Sequence, residues 1–265
     1  MIKESGVITI LGCGSSAGVP LIGCKCLTCH SPNPKNQRLR PSIQIAIGNK
    51  RIVCDTGPDF RLQALTHKID HLDGIILTHM HFDHIAGIDD TRVYVLDKKE
   101  GIPLLISSRS YEDFIVKYGY FFLDSAVATA KVIPHCIDQF PCAVNFCGVD
   151  FLLFDYYQQQ MPVMGFRLGN FAYATDVKNY DHRLIEALQG VDTLVISALK
   201  EQSTHFHLGF EEAVMIHRAV GAKKTYLTHL SHDVNYEKGL HSLPDDVQLA
   251  YDGLEIHFEY ERKTD

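Results

Sequence analysis

Short apolar runs alternate with breaks rich in Gly, Pro, Asn and Asp along most of the chain. Runs of roughly four to eight β-branched or alternating apolar residues predict strands. The predicted strands are 7–11, 42–48, 51–57, 74–77, 103–106, 165–168, 171–176, 193–198, 224–232 and 250–256, with several short ones between 131 and 154. Helices are predicted within 60–70, after Gly87, around 111–114, over 177–188 and from 210 onwards. The breaks at Asn49 and Lys50 predict a hairpin, and the whole pattern indicates an α/β protein.

Composition places the chain among globular proteins. The 265 residues are 46% apolar and 22% charged, enough to bury a sizeable core. We see no repeat, low-complexity segment or linker, so we predict a single domain over residues 1–265. No apolar run reaches about 18 residues and the first residues lack a signal-peptide pattern, which predicts a cytoplasmic protein without membrane contact.

Charge narrows the range of partners. The formal net charge is −7 and Lys and Arg do not cluster, which argues against a long nucleic-acid footprint. A small, locally bound phosphate stays compatible with this distribution. An apolar dimer face has the same pattern as a core, so a homodimer is left open.

The densest chemistry lies at the end of the 74–77 strand. His79, His81, Asp83 and His84 fall within six residues of one another. Three imidazoles and a carboxylate are costly to bury unless a divalent cation satisfies them together. His79 and His81 are two apart and can point the same way from extended chain, whereas Asp83 and His84 begin the next turn. This spacing predicts two adjacent metals, an arrangement that suits hydrolysis.

A second metal site is predicted near the amino terminus. Cys24, Cys26 and Cys29 lie within six residues, in a loop at about 23–32, whereas the other five cysteines are scattered. Three thiolates on one exposed loop suit a structural zinc, which needs one further ligand. His30 is the local candidate for that ligand, and a more distant residue is the alternative.

The motif His-x-His-x-Asp-His after an apolar strand resembles the signature of the metallo-β-lactamase superfamily. The chain start is similar to one branch of it, the PhnP-type phosphodiesterases. There, as here, a strand runs through a Gly-rich turn and Gly18-Val19-Pro20 into a Cys trio. No helix follows this turn, so we set aside a dinucleotide-binding loop. The resemblance implies an αββα sandwich of two mixed sheets with outer helices.

The resemblance also implies roles for particular residues. Asp55 would orient a histidine ligand, Asp176 would bridge two metals, and His207 would contact phosphate or protonate the leaving group. His232 would complete a Cys3His zinc site with the trio. The implied active-site ligands are His79, His81, Asp83, His84, Asp176 and His229, with Asp83 and His207 taking part in catalysis.

One position departs from the family pattern. PhnP-like chains carry a histidine ligand six or seven residues before the glycine of a Gly-aromatic strand. Here that strand begins at Gly165, and Gln158 or Gln159 occupies the place, in what we predict to be a loop over 156–162. Glutamine binds zinc less readily than imidazole, so one metal would be weakly held, replaced by a harder ion or absent.

These observations predict a metal-dependent hydrolase with one or two active-site divalent metals, zinc or manganese, and one structural zinc. The favoured substrate is a small phosphodiester, cyclic ones included, attacked by a metal-bound hydroxide. Hydrolysis of an ester, thioester or lactam is the alternative within the same fold. A catalytically impaired metal-binding or partner-binding protein is the other, and the charge makes a tRNA-processing nuclease the weakest hypothesis.

Overall fold

The computed structural model describes residues 2–96, 100–122 and 129–262. Within them, two seven-stranded sheets are built to the same plan. Each sheet has three antiparallel strand pairs at one side and three parallel pairs at the other. Both sheets are therefore mixed.

The first sheet holds most of the amino-terminal half and one strand from the end. Its strands are β1 (Ile2–Gly12), β2 (Ser42–Ile47), β3 (Lys50–Cys54), β4 (Gly74–Ile76), β5 (Ile102–Ser107), β6 (Val132–Ile137) and β14 (Glu255–Arg262), in the order β14-β1-β2-β3-β4-β5-β6. Strand β14 pairs with β1, which places the end of the described chain against its beginning.

The second sheet follows the chain order without interruption. Its strands are β7 (Cys142–Phe146), β8 (Val149–Gln158), β9 (Met161–Leu168), β10 (Phe171–Ala174), β11 (Thr193–Ser197), β12 (Lys224–Thr228) and β13 (Val247–Leu249). They lie side by side in the order β13-β12-β11-β10-β9-β8-β7.

Helices cover the outer faces of both sheets. The α-helices are α1 (Phe60–Thr66), α2 (Phe82–Ile85), α3 (Ser108–Tyr118), α4 (His182–Leu188), α5 (Phe210–Val220) and α6 (Tyr236–Leu240), and shorter 3-10 helices span Pro34–Asn36, Ile88–Tyr94 and Gly119–Phe122. One buried cluster lies between the sheets, with Ile10 and Ile45 from the first and Phe166 and Tyr173 from the second. Two others lie under the helices, one including Phe114 of α3 and one including Ile216 of α5. The αββα sandwich is confirmed.

Three local predictions were wrong. The segment 156–162 is the tip of the β8–β9 hairpin, because β8 continues through Gln158. Helix α4 begins only at His182, since Tyr157 and Asn179 bond each other's backbone and hold the chain extended before it. The terminal strand begins at Glu255, and residues 250–254 form a turn that bonds to Ile10.

Candidate metal centre and active site

Three acidic or imidazole side chains reach the site from strongly constrained backbone. Asp55 follows β3, Asp176 follows β10 and His229 follows β12, and their φ angles are 64°, 55° and 61°. Non-glycine residues rarely adopt positive φ, and such strain clusters at functional sites. All three side chains are buried, with exposures of 1% or less. The carboxyl ends of matching strands in the two sheets thus deliver these groups to one edge of the sandwich.

The turn after β4 packs tightly against the segment after β3. A Cβ on Gly57 would lie 2.0 Å from the carbonyl oxygen of Asp83, and one on Gly87 would lie 2.0 Å from the carbonyl oxygen of Gly57. Only glycine fits at these two points. The close approach fixes helix α2, which carries Asp83 and His84, beside Asp55.

Asp55 organises two imidazoles. His84 Nδ1 donates to Asp55 Oδ2 at 2.6 Å. His79 Nδ1 donates to Thr78 Oγ1 at 2.9 Å, and this hydroxyl donates in turn to Asp55 Oδ2 at 2.8 Å. With both Nδ1 atoms engaged as donors, the Nε2 atoms of His79 and His84 are left as lone-pair donors for a metal. The position of Asp55 therefore fits the role of orienting a histidine ligand that the family resemblance implied.

The Nε2 atoms face a group of carboxylates and a further imidazole. His84 Nε2 lies 3.1 Å from Asp176 Oδ2 and 3.4 Å from Asp83 Oδ2. His229 Nε2 lies 3.3 Å from Asp83 Oδ2 and 3.3 Å from Asp176 Oδ1. Both carboxylates thus lie between the same two imidazoles. His81 lies beside this group, with its Nδ1 2.9 Å from His79 Nε2.

Three overlapping groups have ligand atoms within 4.8 Å of one another. They are His79, His84 and Asp176; Asp83, His84 and His229; and Asp176, His207 and His229. Every predicted active-site ligand except His81 belongs to at least one group. Asp176, His84 and His229 each belong to two groups, and Asp176 is the carboxylate among them.

Burial and charge oppose each other in this cluster. Burial lowers the pKa of His79 well below its ordinary value. Burial also works against a charge on His84, but the carboxylates of Asp55 and Asp83 outweigh it and raise the pKa of His84 well above its ordinary value. In the same way, burial disfavours the Asp176 carboxylate, yet His229 and His84 hold its pKa well below its usual range. Asp176 is therefore ionised, as a metal ligand must be, whereas burial raises the pKa of Asp55.

The side chains present fit a divalent metal. His84 Nε2 is buried and has no hydrogen-bond partner, although two carboxylates lie close to it. A nitrogen that faces two carboxylates calls for positive charge between them, either a proton, as the raised pKa of His84 indicates, or a divalent cation. Imidazole nitrogens with carboxylate oxygens are ligands that zinc and manganese both accept.

Gln158, rather than Gln159, reaches the cluster. Its Nε2 donates to Asp176 Oδ1 at 2.9 Å and lies 3.2 Å from His207 Nε2, while its Oε1 is buried without a partner. Gln159 occupies the hairpin turn with φ 56°, and its amide donates to the backbone of His205 instead. The sequence could not decide which of these two glutamines takes the histidine's place, because the residues are identical. The register of β8 and β9 decides it.

His207 borders the cluster on its solvent side. Its Nδ1 lies 3.6 Å from Asp176 Oδ1, and its ring stacks on that of His229 with centroids 4.9 Å apart. Burial and the neighbouring His229 lower the pKa of His207 to about 4. The ring is therefore neutral at neutral pH.

The cysteine trio meets His232, the distant candidate. His232 Nδ1 lies 3.4 Å from Cys24 Sγ and 3.6 Å from Cys26 Sγ, and all four ligand atoms, Cys29 Sγ included, fall within 4.8 Å of one another. His30 is exposed and its Nδ1 contacts only the backbone oxygen of Cys26 among the described residues. The N–H of Cys29 and the ring of His232 lower the pKa of Cys26 to about 6, which favours the thiolate form that binds zinc.

A cavity of about 560 Å³ opens directly onto the cluster. Its lining includes His81, Asp83, Gln158 and His207, and the remaining lining residues are Ser16, Phe82, Gln159, Gln160, Met161 and Phe206. Sequence reasoning missed the two phenylalanines and Ser16. Their signal was their position, since Phe82 stands between two ligands and Phe206 directly precedes His207.

Comparisons with known proteins identify the family and the fold of the chain. The model of the beta-lactamase superfamily domain matches residues 50–230, more than half of the chain. A solved diphosphatase of the PhnP family is 34% identical with a TM-score of 0.90, over 98% of this chain and 99% of that one. Zinc-bound PqqB from Methylobacterium extorquens, 17% identical, shares the fold with a TM-score of 0.76 over 94% and 99% of the two chains.

Curated relatives carry varied names. An octanoyltransferase of Porphyromonas gingivalis is 32% identical over 93% of this chain, and a beta-lactamase-like protein 2 homolog of Caenorhabditis elegans is 30% identical over 42%. The chain spans only 50% and 42% of these two proteins. In the described residues, no helix is long and apolar enough to cross a membrane. The chain belongs to the metallo-β-lactamase superfamily and is similar over nearly its whole length to a member of the PhnP family.

Proposed function

We propose that this chain is a metal-dependent hydrolase of small phosphodiesters. The observation that carries the proposal is the arrangement around Asp55. Through direct and relayed hydrogen bonds, Asp55 engages the Nδ1 atoms of His84 and His79, which leaves their Nε2 atoms to bind a metal, and His84 Nε2 faces the carboxylates of Asp83 and Asp176. These groups and His229 would hold one or two divalent metals. A metal bound there would lower the pKa of a water to about 7 and stabilise negative charge on phosphate oxygens.

The remaining chemistry falls to side chains at the cavity wall. His207 is neutral at neutral pH, so one ring N–H donates a hydrogen bond to a phosphate oxygen or to the leaving oxygen. His207 can protonate the leaving oxygen only as an imidazolium, so a bound phosphate anion must first raise the pKa of its ring. Asp83 and Asp176 remain ionised at neutral pH, and they keep His84 and His229 in position.

Similarity supports a phosphorus substrate over a carboxyl ester. The match to the PhnP-family diphosphatase covers nearly all of both proteins, whereas the match to the octanoyltransferase covers only half of that protein. The fold itself accommodates either reaction. We therefore propose that acyl transfer is not the activity of this chain, and the assay below includes an ester for that reason.

Hydrolysis of bis(p-nitrophenyl) phosphate tests the proposal, with p-nitrophenyl octanoate as the ester comparison. Protein loaded with zinc or manganese should cleave the diester, and Asp83→Ala should lower its kcat/KM more than about 100-fold, since loss of an orienting partner alone costs 10–100-fold. Equal rates for wild type and Asp83→Ala, or cleavage of the ester alone, would overturn it.

Gln158 gives specific support to a second candidate, a metal-binding protein with little turnover. Its amide donates to Asp176 at a place where PhnP-like chains carry an imidazole ligand. If this candidate holds, metal content should be normal while the diester assay shows no turnover, and Gln158→His should raise metal affinity without creating turnover.

A further inference from the structure

Arg38 is the largest of the fully buried side chains among the described residues, with an exposure of 1%. Burial lowers the pKa of its guanidinium, and within the described chain no carboxylate lies close enough to form a salt bridge with it. Burying a charge without an ionic partner is costly, and hydrogen bonds have to offset that cost. The bonds that Arg38 makes therefore show what it holds in place.

The guanidinium of Arg38 bonds the segment 229–234 on both sides of His232. Its Nη1 donates to the carbonyl oxygen of Ser231 at 3.0 Å, and its Nη2 donates to that of Val234 at 2.8 Å. The planar fork of arginine presents its donors in fixed directions, so it holds these two carbonyls at a fixed separation. The backbone that carries the fourth ligand of the Cys3His site is thus held from the protein interior.

Arg38 also closes the loop that carries the three cysteines. Its N–H donates to the carbonyl oxygen of Val19 at 2.7 Å, and the N–H of Val19 donates back to the carbonyl oxygen of Arg38 at 2.8 Å. Residues 20–37, with the cysteine trio, lie between these two paired residues. One residue therefore joins both parts of the chain that supply the Cys3His site, since its backbone holds the base of the loop and its side chain holds the segment 229–234.

The same segment supplies a ligand to the His/Asp cluster. His229 begins it with a φ of 61°, and a non-glycine residue in that conformation depends on its surroundings to keep it there. The next residue, Leu230, donates its N–H to the carbonyl oxygen of Cys13 at 2.8 Å and accepts from the N–H of Ser15 at 3.0 Å. Both metal centres thus take a histidine from one short, tightly bonded stretch, and a shift at one histidine displaces the other.

We infer that Arg38 is a positioning residue that couples the two metal centres. With the Cys3His site loaded, His232 is fixed, Arg38 holds the carbonyls on either side of it, and His229 keeps its place in the cluster. Emptying the Cys3His site should therefore weaken metal binding at the active site. Couplings between sites are typically 5- to 150-fold in affinity. The inference concerns metal binding alone, so it does not depend on the substrate proposed above.

Manganese titrations measure this coupling. Mn²⁺ favours carboxylate ligands over thiolates, so it reports on the His/Asp cluster, and the electron paramagnetic resonance signal of free Mn²⁺ gives the affinity. Wild type is first treated with a mild chelator until mass spectrometry finds only the zinc of the Cys3His site, and Cys26→Ser supplies the same protein without that zinc. Cys26→Ser should bind Mn²⁺ at least about fivefold more weakly. Equal affinities would overturn the inference.

Variants of Arg38 show whether this residue carries the coupling. Arg38→Met removes both bonds to the segment 229–234, so in that background Cys26→Ser should change the Mn²⁺ affinity less than about twofold. If Arg38 only stabilised the fold, the two substitutions would act additively, and a persisting fivefold loss would refute its role. Arg51→Met is the matched control and should keep the coupling, because Arg51 also bonds two backbone carbonyls, those of Gly48 and Lys50, but in the hairpin of β2 and β3.

Arg38→Lys decides the question if the methionine variant does not fold. Lysine keeps the positive charge, but its single ammonium group lacks the planar fork that spans the carbonyls of Ser231 and Val234. The coupling in this variant should fall at least about twofold relative to wild type, and urea unfolding checks that the protein is folded. A coupling as strong as that of wild type would show that the charge alone matters and would refute the positioning role.

Discussion

The two candidate metal centres are built in opposite ways. The His/Asp cluster draws its side chains from the ends of strands in both sheets, and His79, His84, Asp176 and His229 are at most 1% exposed. The Cys3His site takes three ligands from one surface loop and a fourth from the segment after β12, and all four are half-buried. The first is positioned by the core of the protein, whereas the second draws three of its four ligands from local chain.

Hydrogen bonding shows the same difference. In the His/Asp cluster, Asp55 and Thr78 hold the imidazoles in place without any metal. In the loop, Cys24 Sγ accepts from the N–H of Cys26, Cys26 Sγ accepts from the N–H of Cys29, and both sulfur atoms lie near the ring of His232. Losing its metal should therefore impair the chemistry of the first centre and the structure of the second.

Removing the shared carboxylate should have the largest effect. In Asp176→Asn a neutral amide replaces the charge that faces His84 and His229, so diester hydrolysis should fall more than about 100-fold and the metal count per chain should drop. Rates on bis(p-nitrophenyl) phosphate and plasma mass spectrometry measure both. Asp181→Asn is the control, because Asp181 lies outside the cluster, where it caps α4 and pairs with Arg183. Similar losses in the two variants would mean that the effect is not specific to the cluster.

Loss of the orienting carboxylate should have the next largest effect. Asparagine tolerates the positive φ of position 55, so Asp55→Asn should keep the backbone while weakening the hold on His84. Metal affinity should fall about 10- to 100-fold. Competition with a chromogenic chelator measures it, and an unchanged affinity would show that His84 needs no partner.

Restoring an imidazole at the hairpin should have a moderate effect of opposite sign. Gln158→His should bind the active-site metal about tenfold tighter, or about 1.4 kcal/mol. Gln159→His is the matched control, because its side chain points to the backbone of His205. A gain in Gln159→His, or none in Gln158→His, would contradict the placement of Gln158 at the cluster.

Cutting the loop site should affect activity less than the changes above. Cys26→Ser should lose one metal per chain and become sensitive to trypsin at the neighbouring Lys25, while diester hydrolysis falls less than about tenfold. Cys136→Ser, which changes an exposed cysteine outside both centres, should behave as wild type. Resistance of Cys26→Ser to trypsin would show that the loop does not depend on its metal.

A half-buried carboxylate outside both centres should have the smallest effect. Asp252 accepts from the N–H groups of Cys13 and Leu39, and burial raises its pKa to about 6. The folded state therefore binds more protons than the unfolded state between about pH 4 and 6, so this group's contribution to stability falls as pH rises towards 6.

The free energy of unfolding measures this contribution. From pH 5 to 7, ionisation of Asp252 should lower the stability of the wild type by about 1 kcal/mol, a pH dependence that Asp252→Asn should lack. Urea unfolding of both proteins at the two pH values gives the difference. Parallel pH profiles would show that Asp252 is not perturbed in this way.

The sequence was sufficient to predict features whose defining residues lie close together along the chain. The motif at 77–84, the hairpin of β2 and β3, and the Cys trio each carry their signal within about ten residues. The choice of His232 over His30, in contrast, came from family resemblance, because the two lie at opposite ends of the sequence and only folding brings one of them to the trio.

Other features depended on tertiary contacts. Strand β13 has three residues and was missed, since so short a run carries no period. The polar run of three glutamines gave no sign that β8 continues to Gln158, which pairing with Met161 enforces. The exposed Phe82 and Phe206 were hidden for a different reason: sequence predicts apolar residues inside, and only the fold shows these two outside.

The common plan of the two sheets explains how the backbone presents two carboxylates to the site. Strands β3 and β10 occupy matching places, each where the antiparallel part of its sheet gives way to the parallel part. Each is followed by an aspartate with positive φ, at one residue and at two residues beyond the strand. The same backbone conformation is thus used twice for different purposes: Asp176 faces the Nε2 atoms of His84 and His229, whereas Asp55 binds His84 at Nδ1.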